Sequence, residues 1–174
     1  NPYSIYPGAL SYVISVTAFG WDFLPGGYTN YGPGCKISAP GGEWSGVRDD
    51  YAGMILSTGV SGAAQGSPGV ETERGESKNY VYMQGTSMAC PHVSGVVALG
   101  MSYALQLGKS FSREEFISML LTSTNGINSR LNGTKQTKKI QNNKYVDCTL
   151  NLEDYYGNMG TGSVDAWKFL MKIE

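Results

Sequence analysis

Residues 85–95 read Gly85-Thr86-Ser87-Met88-Ala89-Cys90-Pro91-His92-Val93-Ser94-Gly95, the start of an apolar run that continues to Leu107. Met88, Ala89, Val93, Val96, Val97, Ala98, Leu99 and Met101 cover nearly the whole circumference of a helix drawn over 87–107. A helix that is apolar all round belongs in the middle of a protein. Gly95 and Gly100 let it approach neighbouring backbone closely, at some cost in helix propensity. The stretch also holds a serine and, five residues later, the only histidine of the chain. On a helix, five residues are about 7.5 Å of rise and about 140° of rotation. A general base must come within about 2.6–3.2 Å of the hydroxyl it deprotonates. His92 therefore cannot serve Ser87 and reads as a structural residue hydrogen-bonded near the helix start. Ser87 has two readings. Where a glycine-flanked turn enters a helix, a hydroxyl lies beside free amides and the positive end of the dipole, which suits an oxyanion. Alternatively, Thr86 or Ser87 simply caps the helix.

Upstream, Tyr12–Ala18 is rich in β-branched and aromatic residues and reads as a buried strand. Lys36–Gly41 reads as a short strand stopped by proline and glycine, and 54–58 and 80–83 as two more. Between the last two lies a polar segment with Glu71, Glu73, Arg74, Glu76 and Lys78, an exposed hairpin tip or loop. Downstream, Ser112-Arg113-Glu114-Glu115 is a capping-box pattern, with Phe111 and Phe116 at the positions of a hydrophobic staple. An Asn-, Lys- and Thr-rich loop is expected from about 125 to 144. A final helix follows from about Ser163, with Val164, Trp167 and Met171 on one face. The pattern predicts an α/β domain with a mostly parallel sheet and helices on both faces. No helix precedes the first strand, so the sheet reads as incomplete, with an N-terminal half absent.

The chain has 174 residues, of which 41% are hydrophobic and 16% charged, which suits one compact domain or a large piece of one. A formal net charge of −1 gives no reason to expect nucleic acid or an anionic membrane as partner. No uninterrupted apolar run reaches the length of a membrane span, about 18 residues. Cys35, Cys90 and Cys148 form no CxxC pair; one disulfide is open to them, with no choice of partner. With one histidine they supply no metal cluster. Asn132-Gly133-Thr134 fits an N-glycosylation acceptor.

GTSMACPHVSG resembles the nucleophile segment of subtilisin-like serine proteases almost residue for residue. Tyr6-Pro7 followed by Tyr12–Ala18 resembles the family's YP…VIAVGA strand, Ser38-Ala39-Pro40-Gly41 its APG turn, and Gly160–Ala166 its closing G.G.VDA segment. The resemblance runs from about Tyr6 to the C-terminus and covers only the C-terminal half of the family's catalytic domain. It implies that Ser87 is the acyl-forming nucleophile of a serine endopeptidase and that its own backbone NH is one oxyanion donor. The family's DSG/DTG aspartate, HGT histidine and AAGN asparagine precede the YP segment. None of the six aspartates here is followed by Ser-Gly or Thr-Gly, and no HGT occurs. The fragment alone is therefore expected to be inactive, because a serine without a base is a poor nucleophile.

The resemblance implies four further points. Ile5, before Tyr6-Pro7, falls at the floor of the S1 pocket, which a β-branched residue would shorten. The segment 42–84 is an extended insertion that shapes primed subsites or binds a propeptide, or else is a solvated hairpin. Lys36 stands where some relatives place an acidic cation ligand, so no metal is expected there; calcium sites belong to the other half. The expected partners are a peptide or protein substrate, the N-terminal half or a propeptide, and a second copy covering the open sheet edge. Export to an extracellular or periplasmic location fits the family. The competing function is a non-catalytic, degenerate subtilase domain kept as a binding or structural module.

Overall fold

The computed structural model describes residues 6–47, 51–59, 70–74, 77–141 and 144–174. Strand β1 (Val16–Phe19) pairs in parallel with β2 (Ile37–Pro40), with Val16 opposite Ile37 and Phe19 opposite Pro40. The strand expected from Tyr12 starts only at Val16, because the chain before it is occupied by two successive turns. In these, Leu10 N–H donates to Pro7 O and Val13 N–H to Leu10 O, both at 3.0 Å. On the far edge of β2, Ser38 exchanges bonds with the 162–164 segment: Ser38 N–H to Gly162 O and Val164 N–H to Ser38 O, each 2.8 Å. Thr17 and Ser38, both buried, share a 2.6 Å hydroxyl hydrogen bond, and their hydroxyls lie 3.1 and 2.5 Å from the accepting Met159 O. A buried polar group needs such partners.

The mostly parallel sheet is corrected by the observed topology. Among the described residues β1 and β2 are the only parallel strand pair, and the other five strands pair antiparallel in two separate sheets. Strand β3 (Ile55–Thr58) lies beside β5 (Ser77–Met83), which lies beside β4 (Val70–Arg74). Strands β6 (Thr134–Gln141) and β7 (Lys144–Asn151) form a hairpin where an irregular loop was expected. Two-residue connections, as between β4 and β5 and between β6 and β7, join antiparallel strands only; a parallel pair needs a crossover of a dozen or more residues.

Helix α1 (Thr86–Gln106) packs against β1 and β2 on one side and against α3 (Ala166–Ile173). Its buried stripe is Ala89, Val93, Gly100 and Ala104. The expectation of burial all round fails on the opposite face, where Leu99, Met101 and Leu105 are 49%, 61% and 81% exposed. By length and hydropathy alone this 21-residue helix would suffice to cross a bilayer. Its packing on two strands and a helix instead reads as that of a core helix with one side uncovered.

Helix α2 (Arg113–Leu121) carries the capping box as read: Glu115 N–H donates to Ser112 Oγ at 3.2 Å, and Ser112 N–H to Glu115 Oε2 at 2.8 Å. The staple rings Phe111 and Phe116 stand 6.3 Å apart, and Phe116 meets Phe169 edge-on at 5.0 Å. The Ser112 hydroxyl, then its backbone NH, holds the Glu115 carboxyl below the usual carboxylate range. A depressed folded-state pKa contributes stability above the unfolded value and loses it as pH falls through the folded one. The thermal stability of the wild type should therefore fall toward that of Glu115→Gln as pH drops below about 4.5, read by melting both proteins between pH 3 and pH 7. A constant difference across that range would show that the cap does not titrate.

On α3 the inner face differs from the expected one. Phe169 and Ile173 are buried, while Trp167 is 69% exposed and Met171 is exposed. The reason lies on α1: a Cβ at Gly100 would come within 2.3 Å of Phe169 Cε1, so the bare glycine is what admits the ring. A second core, of Ile127, Leu131, Leu152, Tyr155 and Met159, forms where the chain leaves α2 and returns from β7. All three cysteines are free thiols, and Cys90 is exposed.

Candidate active site

The turn into α1 is built by glycine. Gly85 has φ +148°, a region that side chains rarely adopt, and serves as N-cap without any side-chain cap. Its carbonyl receives Met88 N–H at 3.0 Å and Ala89 N–H at 3.3 Å. Among the described residues, the Thr86 and Ser87 amides have no acceptor and the exposed Ser87 hydroxyl has no hydrogen-bond partner. The capping alternative for Thr86 or Ser87 is not realised. Two free amides and a free hydroxyl thus sit together at the positive end of a 21-residue helix. They line an open cleft of about 600 Å³ with Ile14, Val16, Cys90, Pro91 and Ser94.

His92 is exposed, and its Nδ1 donates to the Met88 carbonyl at 2.7 Å, one turn back along the helix. The ring therefore follows the line of Met88 rather than that of Ser87. Lys36 lies in the backbone path of the β2 edge, its carbonyl accepting from Thr161 N–H at 3.0 Å. Lys36 also lines a second hollow of about 400 Å³ with Tyr12, Arg113 and Glu114, which shares only Ile14 with the Ser87 cleft. Among the described residues no three His, Cys, Asp or Glu side chains are grouped to hold a metal ion. Ile5 lies outside the described residues.

The Ser87 turn is held from behind by the turn after β2. Gly85 N–H donates to Gly41 O at 2.9 Å, and Trp44 N–H to Gln84 Oε1 at 2.5 Å. Gly41 has to be glycine: a Cβ there would stand 2.5 Å from both Ala18 Cβ and Tyr28 Oη. Tyr28 Oη donates to Gly42 O. Burial, with the Glu43 charge beside it, pushes the Tyr28 phenol far above its ordinary range, so it stays a donor. Glu43 was not singled out from the sequence, nor were its partners Asp22 and Lys135. Lys135 Nζ lies 2.5 Å from Glu43 Oε2 and 2.9 Å from Asp22 Oδ2, with side-chain exposures of 8% for Lys135 and 7% for Glu43. Nothing in the periodicity of a Thr/Lys/Gln run marks a buried lysine.

The sequence model of the Subtilase family matches residues 3–147. The chain belongs to the subtilase family. An extracellular basic protease of Dichelobacter nodosus is 30% identical over 148 residues, which are 83% of this chain and 21% of that protein. An extracellular protease of Xanthomonas campestris pv. campestris is 39% identical over 98 residues, 56% of this chain and 13% of that one. Among solved structures, a protease from Pseudoalteromonas arctica superposes with a TM-score of 0.60 at 25% identity, covering 97% of this chain and 38% of its own. A lanthipeptide protease shares the fold with a TM-score of 0.66 at 21% identity, covering 97% and 44%. This subtilase chain thus spans about a fifth or less of the curated relatives and under half of the solved structures it matches. Within the family, the GTSMA turn of this chain is Gly85–Ala89, and its APG turn, Ala39–Gly41, is the segment that grips it.

Proposed function

We propose that Ser87 is the nucleophile of a subtilisin-type serine endopeptidase. The observation that carries the reading is the unpartnered Ser87 hydroxyl in an open cleft, beside the free Thr86 and Ser87 amides at the start of α1. Ser87 Oγ attacks the scissile carbonyl carbon and its proton passes to a general base. The Ser87 N–H donates to the oxygen that becomes negative, and collapse of the tetrahedral species expels the amine, which takes the proton held by the base, and leaves an ester on Ser87. Water then hydrolyses that ester.

The general base is not His92, which stands five residues, about 7.5 Å of rise and about 140° of rotation, along the helix from Ser87. The triad aspartate and histidine and the second oxyanion donor, an asparagine, come in this reading from residues outside 1–174. The exposed Leu99, Met101 and Leu105 supply the face against which that part of the domain, or a propeptide, packs. The substrate is a peptide or protein, and the protein works outside the cell, as the names of its relatives favour, or in the periplasm. Ile5 shortens the S1 pocket, 42–84 borders the primed subsites, Lys36 takes the place of a cation ligand, and calcium belongs to the remainder of the domain.

One observation favours a second reading, a non-catalytic scaffold: the only imidazole of the chain is bonded back to the Met88 carbonyl and no hydrogen bond joins it to Ser87. A fluorophosphonate probe decides between them. The intact protein should be labelled on Ser87, while residues 1–174 by themselves should neither label nor cleave a peptide. No labelling of the intact protein favours the scaffold, and Ser87-dependent cleavage by 1–174 alone would overturn the shared-triad reading.

A further inference from the structure

The β6–β7 hairpin lies across the stem of the 42–84 insertion. Thr137 Oγ1 and Gly27 N–H both donate to Glu43 Oε1. Lys135 Nζ contacts Glu43 Oε2, both Asp22 carboxylate oxygens and Pro25 O, the last at 3.2 Å. Further out, the Trp44 and Tyr145 rings pack 4.5 Å apart. Glu43 sits between the two backbone groups that hold the Ser87 turn, the Gly41 carbonyl and the Trp44 amide. Its own N–H is tied to Gly53 O at 2.8 Å. A lysine and a glutamate this buried are costly unless every polar atom is met, and no buried side-chain polar atom among the described residues lacks a partner.

We infer that Lys135, acting through Glu43, is a positioning residue for the nucleophile turn, so that the C-terminal hairpin sets the geometry of Ser87. This rests on the assignment of Ser87 as nucleophile. The three charges sum to −1, so loss of the ammonium leaves two neighbouring carboxylates uncompensated, one of them buried. Glu43 must then turn outward, and the Gly41 carbonyl and Trp44 amide on either side of it move with the turn. A displacement near 1 Å at a reacting group costs on the order of 100-fold in rate. An apolar pair would have filled the same space without the directional bonds that fix the side chain at position 43, which is the use that buried ion pairs have in setting register.

The test compares four variants in the intact protein that carries this chain. Lys135→Met should lower kcat and the rate of fluorophosphonate labelling roughly 10- to 100-fold, with KM changed less than about twofold. It should also speed hydrogen exchange of the peptide containing the Gly85 amide, while leaving the α2 peptide unchanged. Lys135→Arg should keep most of the activity, and the neutral pair Glu43→Gln/Lys135→Met should recover most of what Lys135→Met loses. Thr137→Val, which removes only the hydroxyl bond to Glu43, is the mild variant if Lys135→Met does not fold, and should slow labelling several-fold. Wild-type labelling rates in Lys135→Met or Thr137→Val, or a double variant no better than the single one, would overturn the inference. If the wild type itself does not label, the Ser87 assignment has failed instead. Gly85 exchange then decides the strut alone, with unchanged protection in Lys135→Met counting against it.

Discussion

Ser87→Ala in the intact protein should abolish peptidase activity while leaving folding and substrate affinity essentially as they were. Ser87 is exposed, its hydroxyl bonds to nothing among the described residues, and no packing is lost with one oxygen. Thermal midpoints of the two proteins should agree to within about 1 °C, since exposed substitutions away from caps and cores stay near zero in stability. The kcat deficit should be on the order of 10⁶-fold, a magnitude established for subtilisin, a relative of this chain, and not obtained from this structure. Any residual rate would come from the Thr86 and Ser87 amides, which the alanine variant retains and which still stabilise a developing oxyanion. Activity assays alongside binding of a peptide aldehyde or a non-cleavable peptide make the measurement. A variant that binds normally and cleaves within tenfold of wild type would remove Ser87 from the chemistry altogether.

Phe169→Ala should give the largest loss of stability of any single side-chain truncation here. Phe169 is fully buried, faces Phe116 of α2 edge-on and presses into the space left by Gly100 of α1, so one ring joins three helices. Truncating a buried Phe costs about 3–5 kcal/mol. For a domain of this size that is a fall in Tm on the order of 6–20 °C. The reciprocal change, Gly100→Val, should destabilise by the opposite route, since its branched carbons would occupy positions already held by Phe169 Cε1 and Ile173 Cδ1. Urea titration of both variants should move the midpoint without altering the slope. A truncation costing less than about 1 kcal/mol would mean that the ring is not a core residue in solution.

Both effects touch features that were unequally legible beforehand. Ser87 stood out because a turn glycine, a small hydroxyl and an apolar helix fall consecutively in GTSMA, and short-range geometry alone excluded His92 as its base. Phe169 did not stand out. Val164, Trp167 and Met171 carry an equally good helical stripe, and which stripe faces inward depends on the shape of α1, distant in the chain, where Gly100 leaves the gap that Phe169 and Ile173 enter. Trp167 is consequently left on the surface. The same dependence explains α1 itself, whose apolar composition was read as complete burial although the strands and helix that pack on it cover one side.

What the sequence by itself determined is local. Ser112 and Glu115 cap α2, Gly85 turns the chain into α1, and Pro40 and Gly41 stop the short strand after Lys36. Each of these follows from residues within a few positions of one another, where backbone sterics and hydrogen bonding act without help from the rest of the chain. Only the tertiary structure decided that Thr134–Gln141 is a strand, because its inward side chains Lys135 and Thr137 meet carboxylates instead of a hydrophobic layer. A strand whose buried residues are charged or polar inverts the alternation by which strands are recognised. Its compensation comes from Asp22 and Glu43, about a hundred positions earlier, through a Coulomb attraction that exists only after the chain has folded.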